Sequence, residues 1–228
     1  MNPDLNEQIA YYSARAAEYD EWWFRQGRYD WGIEKNLQWA NESDGIRRRL
    51  KGREMVETGL ELACGTGIWT HELLKFCDHV TALDASAEMI AINSTKLQSP
   101  KVEYQRVDLF QWSPARQYDF VFAGFFLSHV PPDRLPGFLK TIADALKPDG
   151  RFFFVDSQNE RSSMAKDHGQ PVAEVGTRRR KLKDGREFTV VKVFYDPVGL
   201  ESEFQQAGIQ LKVERTENYF LYGEGRRC

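Results

Sequence analysis

The chain has 228 residues, 41% of them hydrophobic and 29% charged, with a formal net charge of −3. That composition supports an ordinary folded core and excludes a disordered chain, and the acidic balance gives no general reason to expect a nucleic-acid or anionic-membrane partner. Three separated cysteines, Cys64, Cys77 and Cys228, argue against a disulfide framework and a zinc site, and no metal is expected. The Met1–Tyr11 stretch is polar and no apolar run approaches the roughly 20 residues of a membrane span, so a cytoplasmic location is expected.

In chain order, the first forty residues are dense in aromatics: Tyr11, Tyr12, Tyr19, Trp22, Trp23, Phe24, Tyr29, Trp31 and Trp39. Ile9, Tyr12, Ala16 and Tyr19 share one helical face, and residues 1–50 are expected to form a cap over the ligand-bearing edge of a sheet. Gly59–Ala63 reads as a strand, followed by a small-residue loop and a helical run from Ile68 to Lys75. His79–Leu83 is a second strand ending at Asp84. Ser86 opens a helix to about Leu97. Val102–Gln105 and Tyr118–Phe122 are the third and fourth strands. Pro131–Pro132–Asp133 opens a helix reaching Leu146, stopped by Pro148 and Gly150. The continuous apolar run Phe152–Val155 is the pattern of a strand buried on both faces. Residues 58–157 thus alternate strand and helix, which implies a doubly wound α/β sheet.

The remainder changes rhythm. Lys183–Asp184–Gly185 between two extended runs predicts a hairpin over residues 175–195. Pro197 opens a helix to about Ala207, and Ile209–Arg215 with Asn218–Tyr222 makes a second hairpin, within a C-terminal segment of residues 197–223. The expected architecture is one domain over 1–228. It has a mostly parallel, seven-stranded Rossmann-like sheet with an antiparallel C-terminal edge, an aromatic helical cap and an inserted hairpin. Arg178–Arg179–Arg180–Lys181 reads as a solvated edge-protecting run, with a grip on an anionic substrate as the alternative.

The loop after the first strand, Glu61-Leu-Ala-Cys-Gly65-Thr-Gly67, occupies the ligand position of doubly wound folds. Asp84 lies 17 positions after Gly67, the place of an acid gripping ribose hydroxyls. The dinucleotide pattern G-x-G-x-x-G/A fails in both registers, landing on Thr70 or Ile68, so an adenosine ligand without a pyrophosphate is favoured.

Those residues resemble the first motif of class I S-adenosylmethionine-dependent methyltransferases, E/D-x-G-x-G-x-G, with Ala63 in the first glycine slot. "RVDLF", "YDFVFAGFFLSHV" and "LKPDGRFFFVDS" follow in the family's order, and "YYSARAAEYDEWW" is similar to the cap helix of its small-molecule members. The resemblance implies S-adenosylmethionine as cofactor, with S-adenosylhomocysteine as product. It implies a cofactor site of Tyr19, Glu61, Ala63, Gly65, Gly67, Asp84, Ala85, Met89, Asp108 and Leu109. Within it, Gly65 and Gly67 N–H groups take the carboxylate, Glu61 the ammonium, Asp84 the ribose and Asp108 the adenine amino group. Tyr12, Trp22, Trp23, Trp31, Phe125, His129 and Asp156 are expected around a small, cyclic or aromatic acceptor methylated on O, N or C, with His129 as candidate base. The competing readings are a methyltransferase of RNA or protein, a nicotinamide-dependent oxidoreductase and a non-catalytic adenosyl-ligand binder. A monomer or homodimer is expected.

Overall fold

Seven strands pair in the order β3-β2-β1-β4-β5-β9-β8: β1 (Val56–Leu62), β2 (Cys77–Asp84), β3 (Val102–Arg106), β4 (Tyr118–Gly124), β5 (Leu146–Ser157), β8 (Ile209–Arg215) and β9 (Phe220–Arg227). The structure, a computed structural model, describes residues 5–51, 54–168 and 176–228. β1 to β5 pair parallel, β9 runs antiparallel to β5, and the edge strand β8 runs antiparallel to β9. The expected antiparallel edge is present, and the reversed strand is β9, one place in from the rim. The predicted hairpin, β6 (Thr177–Lys181) and β7 (Glu187–Val191), forms a separate two-stranded sheet. Its expected first residue, Val175, lies outside the described residues.

The apolar runs of β4 and β5 are buried on both faces, with Phe120–Ala123 and Phe152–Val155 at 0–1% exposure. The helix α5 (Ala87–Leu97) starts as predicted, the Ser86 hydroxyl accepting the Met89 N–H at 3.1 Å. α6 (Leu135–Ala145) buries Leu135, Phe138, Leu139 and Ile142 along one stripe. It ends without help from Pro148 or Gly150. Leu146 already pairs with Tyr118, and the next pair is Phe120 with Arg151, so Lys147–Gly150 bulge within β5. α7 (Pro197–Gln206) is capped by Asp196, which accepts the Gly199 N–H at 2.9 Å.

Two expectations for helices are corrected. After the β1 loop, only Thr70–Leu73 form α4, because the chain must re-enter the sheet at Cys77. Near the N-terminus, the single face through Ile9, Tyr12, Ala16 and Tyr19 is broken. α1 (Leu5–Arg15) gives way to a 3₁₀ turn at Ala16–Glu18, then α2 (Tyr19–Trp23) and α3 (Ile33–Lys51).

The cap is also not a loose cover. Trp22 meets Phe125 with ring centroids 4.8 Å apart, Trp23 meets Trp69 at 5.4 Å, and Trp39 meets Phe220 at 4.7 Å. These pairs are edge-on, the arrangement aromatic quadrupoles favour, and they belong to one buried cluster with Phe122 and Phe153 of the sheet. Density of aromatics in the sequence predicted a cap, and their burial makes that cap part of the core. Trp23→Ala is therefore expected to cost about 3–5 kcal/mol of folding stability, read by urea denaturation. A loss under about 1 kcal/mol would mean that the cap packs loosely.

Candidate active site

β1 and β4 are neighbours whose chains leave in opposite directions along the sheet, β1 toward β2 and β4 toward β5. The crevice at such a switch point is where doubly wound folds bind ligands. On both of its sides a non-glycine residue is forced into the left-handed region, Ala63 at φ 56° and Phe125 at φ 55°. The loop continues through Gly65 and Gly67. A Cβ on Gly65 would meet nothing within 4 Å, so this glycine leaves open space at the crevice. A Cβ on Gly67 would stand 2.5 Å from Asn93 Oδ1. Asn93 in turn donates to Thr70 Oγ1 at 2.9 Å and to Gly65 O at 3.4 Å, tying the loop to α5.

A first chamber of about 690 Å³, partly open to solvent, lies over this crevice. Of the predicted cofactor residues, Tyr19, Ala63, Gly65, Asp84, Ala85, Met89, Asp108 and Leu109 line it. Asp84 accepts the Gly65 N–H and the Ser86 N–H, each at 2.9 Å. Burial raises its pKa and these bonds offset part of the rise. Asp108 accepts the Phe110 N–H at 2.9 Å and the Gln111 amide at 2.8 Å.

Gly67 and Glu61 do not line the chamber. Gly67 is spent on the Asn93 contact. Glu61 is buried behind the loop, accepts the Thr70 hydroxyl at 2.6 Å, and is pushed up to about 8 by burial, against the lowering effect of that hydrogen bond.

A second chamber, of about 560 Å³, adjoins the first, and Tyr12, Tyr19, Phe125 and His129 line both. Its further walls include Trp22, Arg15, Tyr29, Ser163, His168, Arg180, Lys192 and Phe194. His129 is held by two partners. Its Nδ1–H donates to Val191 O at 2.6 Å, which leaves Nε2 to accept the Tyr12 hydroxyl at 2.7 Å. Burial first, then the Lys192 charge, hold its pKa well below 6.5, so the imidazole is neutral.

Three predicted acceptor residues stand elsewhere. Trp23 is enclosed in the aromatic cluster. Trp31 donates its indole N–H to Met164 O at 2.8 Å and stacks under Arg161, lining neither chamber. Asp156 sits behind the wall, accepting the Ser128 N–H at 2.8 Å and facing Lys192 Nζ at 3.3 Å. Aromatic content and strand-end position did not distinguish a lining residue from one a layer behind it.

The chamber residues not named in advance include the cations Arg15 and Lys192, while Arg180 was read only within the 178–181 run, with an anionic grip as the alternative to edge protection. A usable signal existed at Arg180: strand alternation makes Arg178 and Arg180 share one face. The structure has both half-buried while Arg179 and Lys181 are exposed. Arg15 carried no such signal beyond its place one turn after Tyr11 and Tyr12.

A methyltransferase-domain family matches residues 22–212, and the chain belongs to it, as a class I S-adenosylmethionine-dependent methyltransferase. The structure is similar to that of DhpI in complex with SAH, with TM-score 0.79 and 36% identity, covering 100% of this chain and 98% of that one. It is equally similar to a DhpI–SAM–HEP complex, at 36% identity over 99% of both chains and the same TM-score of 0.79. A ubiquinone biosynthesis O-methyltransferase of Aeromonas salmonicida (strain A449) is 26% identical over 160 residues, 67% of this chain and 63% of that protein. A trans-aconitate 2-methyltransferase of Azoarcus sp. (strain BH72) is 31% identical over 106 residues, 44% of this chain and 41% of that protein. The chain spans only 41–63% of the length of these two curated relatives.

Two outcomes are expected. Asp84→Ala removes an acceptor of charge-assisted hydrogen bonds, each worth about 1.5–3 kcal/mol, and should weaken S-adenosylhomocysteine binding by at least about tenfold in calorimetry. Unchanged affinity would place the ligand elsewhere. Glu61 has a folded pKa of about 8, above its ordinary 4.5. The unfolded chain releases that proton first, so the stabilising contribution is full below pH 4.5 and is lost as pH rises toward 8. Glu61→Gln should flatten that part of the stability profile, measured by denaturation at pH 5, 6, 7 and 8. An unaltered slope would show that Glu61 is ionised in the fold.

Proposed function

We propose that the chain transfers a methyl group from S-adenosylmethionine to O, N or C of a small molecule seated in the second chamber. The observation that carries this reading is the shared wall: two adjoining chambers meet at Tyr12, Tyr19, Phe125 and His129.

The first chamber suits the cofactor. Gly65 leaves free space where a side chain would block the approach to the loop backbone. Asp84 uses one lone pair on each oxygen for Gly65 and Ser86, and the others can accept ribose hydroxyls. Met89 and Leu109, with Phe110, offer an apolar slot for adenine, and Asp108 stands beside it. Ala85 lines the same side, and Glu61 supports the loop through Thr70. When bound, S-adenosylmethionine supplies an electrophilic methyl carbon on a positively charged sulfur.

This chain's residues then position and exclude. Phe125 and Tyr19 form the boundary across which donor and acceptor face each other, and holding them in line supplies several kcal/mol of barrier reduction. The Tyr12 hydroxyl donates a hydrogen bond to His129 Nε2, so a proton leaving the acceptor would reach the imidazole only through the Tyr12 oxygen, which would take it as Tyr12 passes its own proton on. Trp22 contributes acceptor-side surface. α1 contributes Tyr11, Tyr12 and Arg15 to the walls of the second chamber and β6 contributes Arg180, which favours a metabolite over RNA or protein. Among the described residues no helix is long and apolar enough to cross a membrane.

Isothermal calorimetry tests the cofactor directly. S-adenosylhomocysteine should bind in the micromolar range, about −8 kcal/mol, and NAD should give no heat. Preference for NAD would contradict the reading.

A further inference from the structure

We infer that the acceptor is a small oxyanion, a carboxylate or a phosphoryl-type group, held in the second chamber by Arg15 and Arg180 with Lys192 beside them. This inference rests on the reading of that chamber as the acceptor site.

Arg15 ends α1 and is 8% exposed. Its guanidinium lies 4.9 Å from the Tyr19 ring centroid and 5.8 Å from that of Tyr29, and Nη2 donates to the Tyr29 hydroxyl at 3.2 Å. Its Nε has no hydrogen-bond partner, and among the described residues no carboxylate forms an ion pair with it. A guanidinium carries five N–H donors in a planar fork. Aromatic faces can attract its charge but cannot accept in the plane of that fork. Packing therefore explains part of the cage and leaves the donors unanswered.

Arg180 repeats the pattern from the hairpin. It is half-buried, its closest polar partner is His168 Nδ1 at 3.4 Å, and it too forms no ion pair among the described residues. Its outward neighbour Arg179 pairs with Glu187 at 3.1 Å, so among the described residues counter-charge stands on the solvent side and not on the chamber side. Lys192 is anchored by Ser128 at 2.7 Å and Asp156 at 3.3 Å. Burial lowers its pKa, and Arg180 and Arg15 lower it further against the pull of Asp156.

The histidines do not add to this charge and do not cancel it. His129 is neutral, and His168 is lowered to about 4 by burial and by Arg180. Among the described residues, no Asp or Glu lines the chamber. Among the described residues, three cations thus face one carboxylate, Asp156, which stands behind Lys192. Buried charge without a partner is strongly unfavourable, and a bound oxyanion is the partner that the fork geometry of arginine matches best.

The test uses the full chain saturated with S-adenosylhomocysteine, at constant ionic strength, titrated separately with inorganic phosphate, acetate and the neutral isostere acetamide. Phosphate or acetate should bind and raise the melting temperature, and acetamide should do neither. Binding of phosphate alone assigns a tetrahedral oxyanion, and of acetate alone a carboxylate. Arg180→Gln should weaken the anion at least tenfold, and Arg179→Gln should leave it unchanged. Arg15→Met should act like Arg180→Gln; because Arg15 is caged by aromatics, Arg180→Gln decides the matter if that variant does not fold. No binding by either anion, or equal loss in Arg179→Gln, overturns the inference. S-adenosylhomocysteine affinity is read in the same samples. If it is intact while anions fail to bind, only this inference falls. If it is absent, the methyltransferase reading falls, and anion binding would then no longer mark a methyl acceptor.

Discussion

The crevice between the carboxyl ends of β1 and β4 is the constraint on which the rest of the molecule is built. Ala63 and Phe125, one after each strand, adopt φ of 56° and 55°, a conformation that disfavours residues with a side chain by roughly 1–2 kcal/mol each. Such strain persists only where surrounding packing over-determines it. Here Ala63 turns the chain out of β1 into the loop that brings Gly65 to the first chamber, opposite Asp84 at the end of β2. The matching turn at Phe125 sets its ring in the wall between the two chambers, with Trp22 and Phe220 packed against its other sides.

The cap and the hairpin complete the site by satisfying each other. β7 is a strand edge with unpaired N–H groups, and α1 covers it: Glu7 accepts the Thr189 N–H at 2.7 Å and Gln8 the Val191 N–H at 3.1 Å. Gln8 also donates to His129 O at 3.2 Å, and Val191 O accepts from the His129 ring. One docking interaction thus fixes the helix, the hairpin and the imidazole tautomer. On the far side, Asp20 of α2 accepts from Thr66 of the β1 loop and from Lys96 of α5. The cap is therefore tied to both chambers.

Much of this was legible in the sequence, because the parallel core announces itself through apolar runs such as Phe152–Val155 and through small residues at one loop. Asp84, Gly65 and Met89 were readable from order and spacing along one βα unit. The second chamber was not, since it is assembled from α1, α2, Phe125 and His129, the Ser157–His168 segment, β6 and the residues just after β7, which are far apart in the chain. Arg15 and Arg180, 165 positions apart, meet only in three dimensions. Asp156 and Trp23 were misplaced for the opposite reason: strand ends and aromatic clusters mark a neighbourhood, and burial decides which member faces the cavity.

The central claim is that donor and acceptor occupy two chambers that meet at Tyr19, Phe125 and His129. A crystal structure of the chain grown with S-adenosylhomocysteine tests it most directly. The account predicts the ribose hydroxyls on Asp84, adenine beside Met89 and Leu109, and the sulfur at the Phe125–Tyr19 wall with an open path into the second chamber. A ribose away from Asp84, or a sulfur turned from that wall, would contradict it.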